Sequence, residues 1–162
     1  MIYHLQIKIG GIELILNYTT KITTEKTAGE IQYKLSKAKA QAVLFEYDKD
    51  GIMCSISFSV ITAHGSVFFK LPTNTQGVYK ALQSKKIPKK LRTKEQAARV
   101  AWRILKNWVE AQLAIVEAEM AEMTEVFLPY ARNENGKTMY ETINENKFRL
   151  LIHENSTNRQ KP

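Results

Sequence analysis

The sequence predicts an α+β fold in which an antiparallel sheet packs against one long helix and several short ones. Three observations support this prediction. Alternating apolar and polar residues separated by glycine turns fill the first half of the chain, whereas helical periodicity dominates the second half. Three Thr-x-x-Glu/Gln patterns mark helix starts at Thr27, Thr93 and Thr138. Because most strands precede most helices, we expect the helices to cover one antiparallel sheet.

Composition is consistent with a single globular domain. The chain has 162 residues, of which 44% are hydrophobic and 25% charged. We expect one α+β domain over residues 1–154 and a disordered tail over residues 155–162. The single cysteine, Cys54, excludes an intramolecular disulfide. No signal-peptide pattern or membrane-spanning apolar run is apparent, so the expected location is cytoplasmic, with no membrane partner.

Turn and cap signals set the element boundaries in the first half. The Gly-Gly pair at residues 10–11 and the Asp-Gly pair at residues 50–51 are two-residue turn signals. Thr27 followed by Glu30 predicts a capping box. The predicted elements are strands over residues 3–9 and 12–18, a helix over residues 28–39, and strands over residues 42–47, 52–60 and 67–71.

The strand predicted over residues 52–60 has the clearest alternation. Its even-numbered positions are apolar and include Cys54, whereas Ser55, Ser57 and Ser59 occupy the odd-numbered positions. This pattern predicts one buried face, with Cys54 in the core, and one face of serines turned to solvent.

The second half is predicted to be mostly helical. Asn74 or Thr75 caps a short helix, and Thr93 with Gln96 forms a capping box that opens the longest element. That element is expected to reach Met123 and to measure about 45 Å. The predicted elements are helices over residues 76–83, 94–123 and 139–144, then a last strand over residues 147–153.

The long helix carries an apolar series at spacings of four and three residues. Its members are Ala97, Ala101, Ile104, Trp108, Ala111, Ile115 and Ala118. Such spacing is typical of a helix that lies on a core, and equally of a helix–helix seam. Both interpretations stay open, and the second predicts a homodimer through the long helix.

Charge is distributed unevenly along the chain. Between residues 80 and 106 there are ten positive side chains and one acid, Glu95, whereas the whole chain carries +8. Residues 107–125 hold five glutamates and no base. The bases lie at the N-terminal end of the predicted long helix, where its dipole is already positive. Helix stability therefore does not explain them.

The basic block predicts contact with an anionic partner. Lysines and arginines on a loop and an adjoining helix are typical of phosphate-binding surfaces. The candidate residues for binding nucleic acid or an acidic partner are Lys85, Lys86, Lys89, Lys90, Arg92, Lys94, Arg99, Arg103 and Lys106. Trp102 either stacks on a base or belongs to the core. A nucleic acid, a host nucleoprotein complex and a merely solvated basic face are the alternatives.

No pattern predicts catalysis. His4, His64 and His153 are scattered, so no metal-ligand spacing is present. Asp48 and Asp50 flank a turn and are interpreted as turn formers. Neither a phosphate loop nor a nucleophile elbow occurs. The sequence thus predicts a non-enzymatic protein without a cofactor or metal.

One segment resembles a known family. The motif VAWRIxKxWVEAQxAIVE at residues 100–117, followed by EVFLPY at residues 125–130, resembles small proteins of phages, prophages and related mobile elements. Residues 69–72 and 92–99 are similar to that family too, and the resemblance covers roughly residues 28–140. Asn107 departs from the family, which has an acidic residue there. The resemblance implies a mobile-element accessory protein that handles DNA or antagonises host defence, acting in the cytoplasm of the host, and it supplies no site residues.

Overall fold

The computed structural model describes residues 15–152. The hairpin strand predicted over residues 3–9, most of its partner strand and the predicted tail lie outside that range. Residues 15–18, the described end of the second predicted strand, are not extended, because residues 16–19 form a turn closed by the Thr20 amide on the Asn17 carbonyl. The strand prediction is wrong for this part.

The described chain has the α+β architecture that the sequence predicts. Three strands come between the first helix and the remaining helices. The elements are α1 (Thr24–Lys37), β1 (Ala42–Tyr47), β2 (Met53–Thr62), β3 (Gly65–Leu71), α2 (Thr75–Leu82), α3 (Lys94–Glu117), α4 (Met123–Val126) and α5 (Met139–Glu145), with 3₁₀ turns at Lys89–Leu91 and Leu128–Tyr130.

The strands form one antiparallel sheet in the order β1-β2-β3. Helices α1 and α3 pack against each other and against one face of this sheet. Ile31 of α1, Ile56 and Phe58 of β2, and Trp102 and Val109 of α3 share the main core and are almost completely buried. A smaller cluster joins α2 to the start of α3. Burial of these apolar side chains thus holds α3 against one face of the sheet.

The serine face of β2 is not turned to solvent as predicted. Ser55, Ser57 and Ser59 are buried because β2 is the central strand. Leu44 of β1 and Lys70 of β3 flank Ser57 in register, so longer side chains surround the small serine. The residues exposed on this face are larger ones such as Leu44, which is 59% exposed.

Cys54, which was predicted to lie in the core, is only half-buried. The pairing of β1 with β2 shifts at Glu46 and Tyr47, so that the residue opposite Tyr47 is Met53. Cys54 therefore lies within a bulge, where its Sγ is 3.5 Å from the Glu46 carbonyl oxygen. Met53 takes the core position instead.

Helix α1 begins four residues earlier than predicted. Thr23 is its N-cap and accepts a hydrogen bond from the Lys26 amide. Thr27 is fully buried inside the helix, where its hydroxyl donates to the Thr23 carbonyl oxygen. Glu30 does not complete a capping box, because its carboxylate binds Arg103. A tertiary contact has thus replaced the predicted local one.

Helix α3 ends at Glu117 and not at Met123. Ala118 caps it, and Glu119 takes a left-handed conformation with φ of 55°. The Met120 amide then donates to the Ile115 carbonyl oxygen, which closes the helix end. This reversal lets α4 bring Phe127 into the core against Phe58. The 24 residues of α3 span about 36 Å.

The last predicted strand is absent from the described residues. Residues 147–151 form turns in which Lys147 and Phe148 both have φ of 54°. The Phe148 amide donates to the Ile143 carbonyl oxygen at the end of α5. The backbone amides of this segment therefore donate to nearby carbonyl oxygens and not to a neighbouring strand. His153 lies outside the described range. By contrast, the capping box of Thr138 and Glu141 at the start of α5 is confirmed.

Candidate anion-binding site

A loop between α2 and α3 carries most of the exposed positive charge. This lysine loop, residues 84–93, is anchored by Ile87, which is 1% exposed and packs with Leu82 and Ala97. The 3₁₀ turn at Lys89–Leu91 lies within it and begins directly after Pro88. Burial of one apolar side chain at the loop centre holds the surrounding lysines at the surface.

Arg92 fixes the shape of the lysine loop from within. Its Nε donates to the Ile87 carbonyl oxygen at 2.8 Å, and its Nη2 donates to the Lys85 carbonyl oxygen at 3.3 Å. The Gln83 side-chain amide lies 3.4 Å from the Arg92 carbonyl oxygen. The guanidinium of Arg92 is thus used for loop structure.

Five lysines of the predicted set are exposed around this loop. They are Lys85, Lys86, Lys89, Lys90 and Lys94. Within residues 15–152, the side chains of Lys85, Lys89, Lys90 and Lys94 form no ion pair. Thr93 caps α3 by accepting a hydrogen bond from the Gln96 amide, so Lys94 begins the helix immediately beside the loop.

Arg103 and Lys106 belong to a different surface. Arg103 Nη1 lies 2.7 Å from Glu30 Oε2, and Lys106 Nζ lies 3.7 Å from the same oxygen. Lys106 also contacts Glu110 at 2.7 Å, and Lys34 of α1 contacts Glu110 at 3.0 Å. The structure therefore joins these two predicted residues to acids between α1 and α3, and does not bring them to the lysine loop.

Burial and pairing act in opposite directions on Glu110. Burial alone raises the pKa of its carboxyl group, but hydrogen bonds from Lys106 and Lys34 and their positive charge lower that pKa more. The net pKa lies below the ordinary value of 4.5. Glu110 is therefore ionised at neutral pH and balances the two bases that hold it.

Arg99 lies one helical turn before Arg103, on the side of α3 that faces α1. Its side chain is half-buried and forms no ion pair among the residues that the structure describes. Arg99 thus lies between the two basic groups, and the nine predicted residues do not form one continuous surface.

Trp102 belongs to the core and cannot stack on a base in this structure. Its side chain is 0% exposed, and its indole Nε1 donates to the Met53 carbonyl oxygen at 3.2 Å. Phe45 packs against the ring from β1. Burial on the sheet therefore excludes the aromatic contribution to a nucleic-acid site that the sequence had left open.

The structure also shows what the turn aspartates do and whether a metal ion could be held. The Asp48 carboxylate accepts hydrogen bonds from the Asp50 and Ile52 amides, each at 2.9 Å, which is the predicted role in a turn. Among residues 15–152, no group of three or more His, Cys, Asp or Glu side chains is placed to hold a metal ion. Over the same range, no helix is long and apolar enough to cross a membrane.

Two partners of the basic residues were missed by sequence reasoning. The Lys106–Glu110 pair has the spacing of four residues that places side chains together on a helix, so it could have been found. Glu30 is 73 residues away from Arg103, and nothing local predicts their contact.

No family model, curated protein or solved structure matches this chain. The site residues are therefore assigned from their geometry.

Proposed function

We propose that this chain is a non-enzymatic nucleic-acid-binding protein, of the accessory kind found in mobile elements, which contacts phosphates through the lysine loop and the first residue of α3. One observation carries the proposal: Lys85, Lys89, Lys90 and Lys94 are exposed, close in sequence, and without ion pairs among residues 15–152. These four lysines are therefore available to replace the counterions of a phosphate backbone.

The anchoring of the lysine loop supports the same proposal. Ile87 is buried and Arg92 binds two carbonyl oxygens of the loop, so the backbone is ordered before a ligand arrives. Ordering a site in advance reduces the entropy lost on binding. Trp102 is buried, so the site offers point charges and no stacking platform there. We therefore expect binding that tolerates sequence differences.

Fluorescence anisotropy tests this proposal with labelled single- and double-stranded DNA and RNA oligonucleotides over a salt series. The logarithm of the affinity should fall linearly with the logarithm of salt concentration, by about 0.9 for each duplex phosphate neutralised. A variant with Lys85, Lys89, Lys90 and Lys94 changed to glutamate should lose at least about tenfold in affinity and show a smaller slope.

The matched control changes Lys26, Lys39, Lys49 and Lys147 to glutamate. These four lysines are exposed, lie outside the lysine loop, and give the same change in net charge. If both variants lose affinity equally, the binding is a non-specific effect of charge and the site is wrong. Absence of wild-type binding at low salt contradicts the function itself.

A pull-down from host lysate, with and without nuclease, tests the second candidate function. A stoichiometric partner that survives nuclease would favour a protein-binding inhibitor of a host defence nucleoprotein complex. Loss of all partners on nuclease treatment agrees with direct nucleic-acid binding.

A further inference from the structure

The described start of the chain lies beside the lysine loop, although the two segments are distant in the sequence. Tyr18 packs against the same apolar cluster as Leu91 of the lysine loop. That cluster contains Ile87, the buried anchor of the loop. Packing therefore brings residues 15–22 to the end of the molecule that carries the exposed loop lysines.

A buried glutamine fixes the contact between the two segments. Gln96, in the first turn of α3, is 5% exposed, and its side-chain Nε2 donates to the Tyr18 and Thr20 carbonyl oxygens at 2.8 and 2.9 Å. The Thr20 hydroxyl in turn accepts a hydrogen bond from the Ile22 amide at 3.3 Å. The backbone on both sides of Lys21 is therefore held at the start of α3.

Lys21 is exposed at this position. It directly follows Thr20, and Lys94 precedes Gln96 by two residues, so both lysines lie within two residues of the same hydrogen-bonded contact. Neither lysine forms an ion pair among residues 15–152. The charge of Lys21 is therefore as available to an anionic ligand as that of Lys94.

Two acids lie close in sequence to these lysines. Glu25 is in the first turn of α1 and Glu95 is in the first turn of α3. Both are exposed and form no ion pair in the part of the chain that the structure describes. They are outnumbered by the exposed lysines of the two segments, which are Lys21, Lys85, Lys89, Lys90 and Lys94. An excess of positive charge therefore extends over both segments.

We propose that Lys21 is a further phosphate-binding residue of this site and that Gln96 is the residue that positions it. The inference rests on the proposed function, because it concerns the same nucleic-acid ligand. A phosphate backbone bound by the lysine loop then continues past the start of α3 to Lys21. Gln96 joins the two segments without contacting the ligand, since its side chain is buried.

The salt dependence of binding tests the role of Lys21 with the same labelled DNA and RNA oligonucleotides. Lys21→Gln removes one charge, so the slope of log affinity against log salt should become less steep by about 1, with similar weakening for all sequences. Lys21→Arg keeps the charge and should retain the wild-type slope.

Lys39→Gln is the matched control for Lys21→Gln. Lys39 is exposed and forms no ion pair within the described range. It lies beyond the opposite end of α1, whose 14 residues span about 21 Å. The same loss of one charge at this distance should leave the slope unchanged.

Gln96→Ala tests the positioning role. Without the two hydrogen bonds, Lys21 should no longer be held near the phosphates, and the slope should fall as in Lys21→Gln. The double variant should fall no further than either single variant, because both changes remove the same contact. A glutamine that acts only on stability would leave the slope of the folded protein unchanged. Circular dichroism establishes that each variant is folded.

Several results would overturn the inference: an unchanged slope in Lys21→Gln or in folded Gln96→Ala, equal losses in Lys21→Gln and Lys39→Gln, or losses that add in the double variant. If the variant with four lysine-loop and α3 lysines reversed still loses affinity in these cases, the proposed function stands and the inference alone fails. Absence of wild-type binding contradicts both.

Discussion

Arg103 of α3 donates a hydrogen bond to the carboxylate of Glu30 on α1, with 2.7 Å between Nη1 and Oε2. The same guanidinium nitrogen lies 3.4 Å from the Thr27 hydroxyl. Lys106, Glu110 and Lys34 extend this contact into a network of five charged residues between the two helices. Part of the basic segment therefore joins α1 to α3, and its charge is largely compensated within the chain.

Arg103→Ala should lower the free energy of unfolding by about 1–3 kcal/mol, because Glu30 loses a charged hydrogen-bond donor at a partly buried position. Urea unfolding measures this change. Nucleic-acid affinity should stay unchanged, which separates Arg103 from the loop lysines. Arg149→Ala, at an exposed position, is the control and should cost less than about 0.5 kcal/mol. A large loss of affinity in a stable Arg103→Ala protein would contradict this division.

Glu110 should contribute a pH-dependent part of the stability. Its pKa is lowered from 4.5 in the folded protein, so the folded state holds its proton less tightly than the unfolded state does. This contribution is complete above pH 4.5 and is lost as the pH falls below that value. Urea unfolding at a series of pH values should show a smaller decline at acid pH for Glu110→Gln than for the wild type.

The control for Glu110 is Glu25→Gln, since Glu25 is exposed and forms no ion pair within the described range. Its pH profile should follow that of the wild type. An unchanged acid decline in Glu110→Gln would mean that the ion pairs with Lys106 and Lys34 do not act on stability.

Gln96 should hold the described start of the chain against α3. Its side-chain Nε2 donates to the Tyr18 and Thr20 carbonyl oxygens at 2.8 and 2.9 Å, and the residue is 5% exposed. Gln96→Ala should cost about 1–3 kcal/mol in urea unfolding, because two carbonyl groups lose their donor. Backbone hydrogen exchange over residues 15–22 should accelerate. Gln32→Ala, on an exposed face of α1, should alter neither measurement.

Thr23 should be the residue that starts α1. Thr23→Ala removes the hydroxyl that accepts from the Lys26 amide and should cost about 1 kcal/mol in the free energy of unfolding. Thr23→Ser keeps an oxygen at that place and should retain most of the stability. Equal losses in the two variants, measured by thermal unfolding, would show that the cap does not contribute.

Local patterns predicted the three strands of the sheet more closely than the helix ends. Strand β1 has the predicted bounds because a loop and an Asp-Gly turn limit it on either side. The end of α3 was overestimated by six residues, since residues 118–123 are as compatible with a helix as those before them. Glu119 turns out of the helix, and the chain after it brings Phe127 to the core. The position at which α3 ends thus depends on aromatic contacts of Phe127 with β2 and β3, which no local pattern encodes.

The candidate site was predicted as nine residues and is divided by the fold. The sequence identified the basic loop correctly as a segment, because Pro88 interrupts helices and strands. It could not identify Ile87 and Arg92 as the residues that hold the loop, since their partners are defined only by packing. It also placed Gln96 in a capping box, whereas the Gln96 side chain binds carbonyl groups 76 and 78 residues away.

By itself, the sequence determined the α+β class, the types of most described elements and the excess of positive charge between residues 80 and 106. These properties follow from composition, periodicity and cap residues, which act over a few neighbouring positions. Only the tertiary structure decided that Trp102 is core, that the serines of β2 are covered, and that Arg103 is paired whereas Lys89 has no ion pair among residues 15–152. Burial and ion pairing depend on which distant residues the fold brings together, and that information is spread over the whole chain.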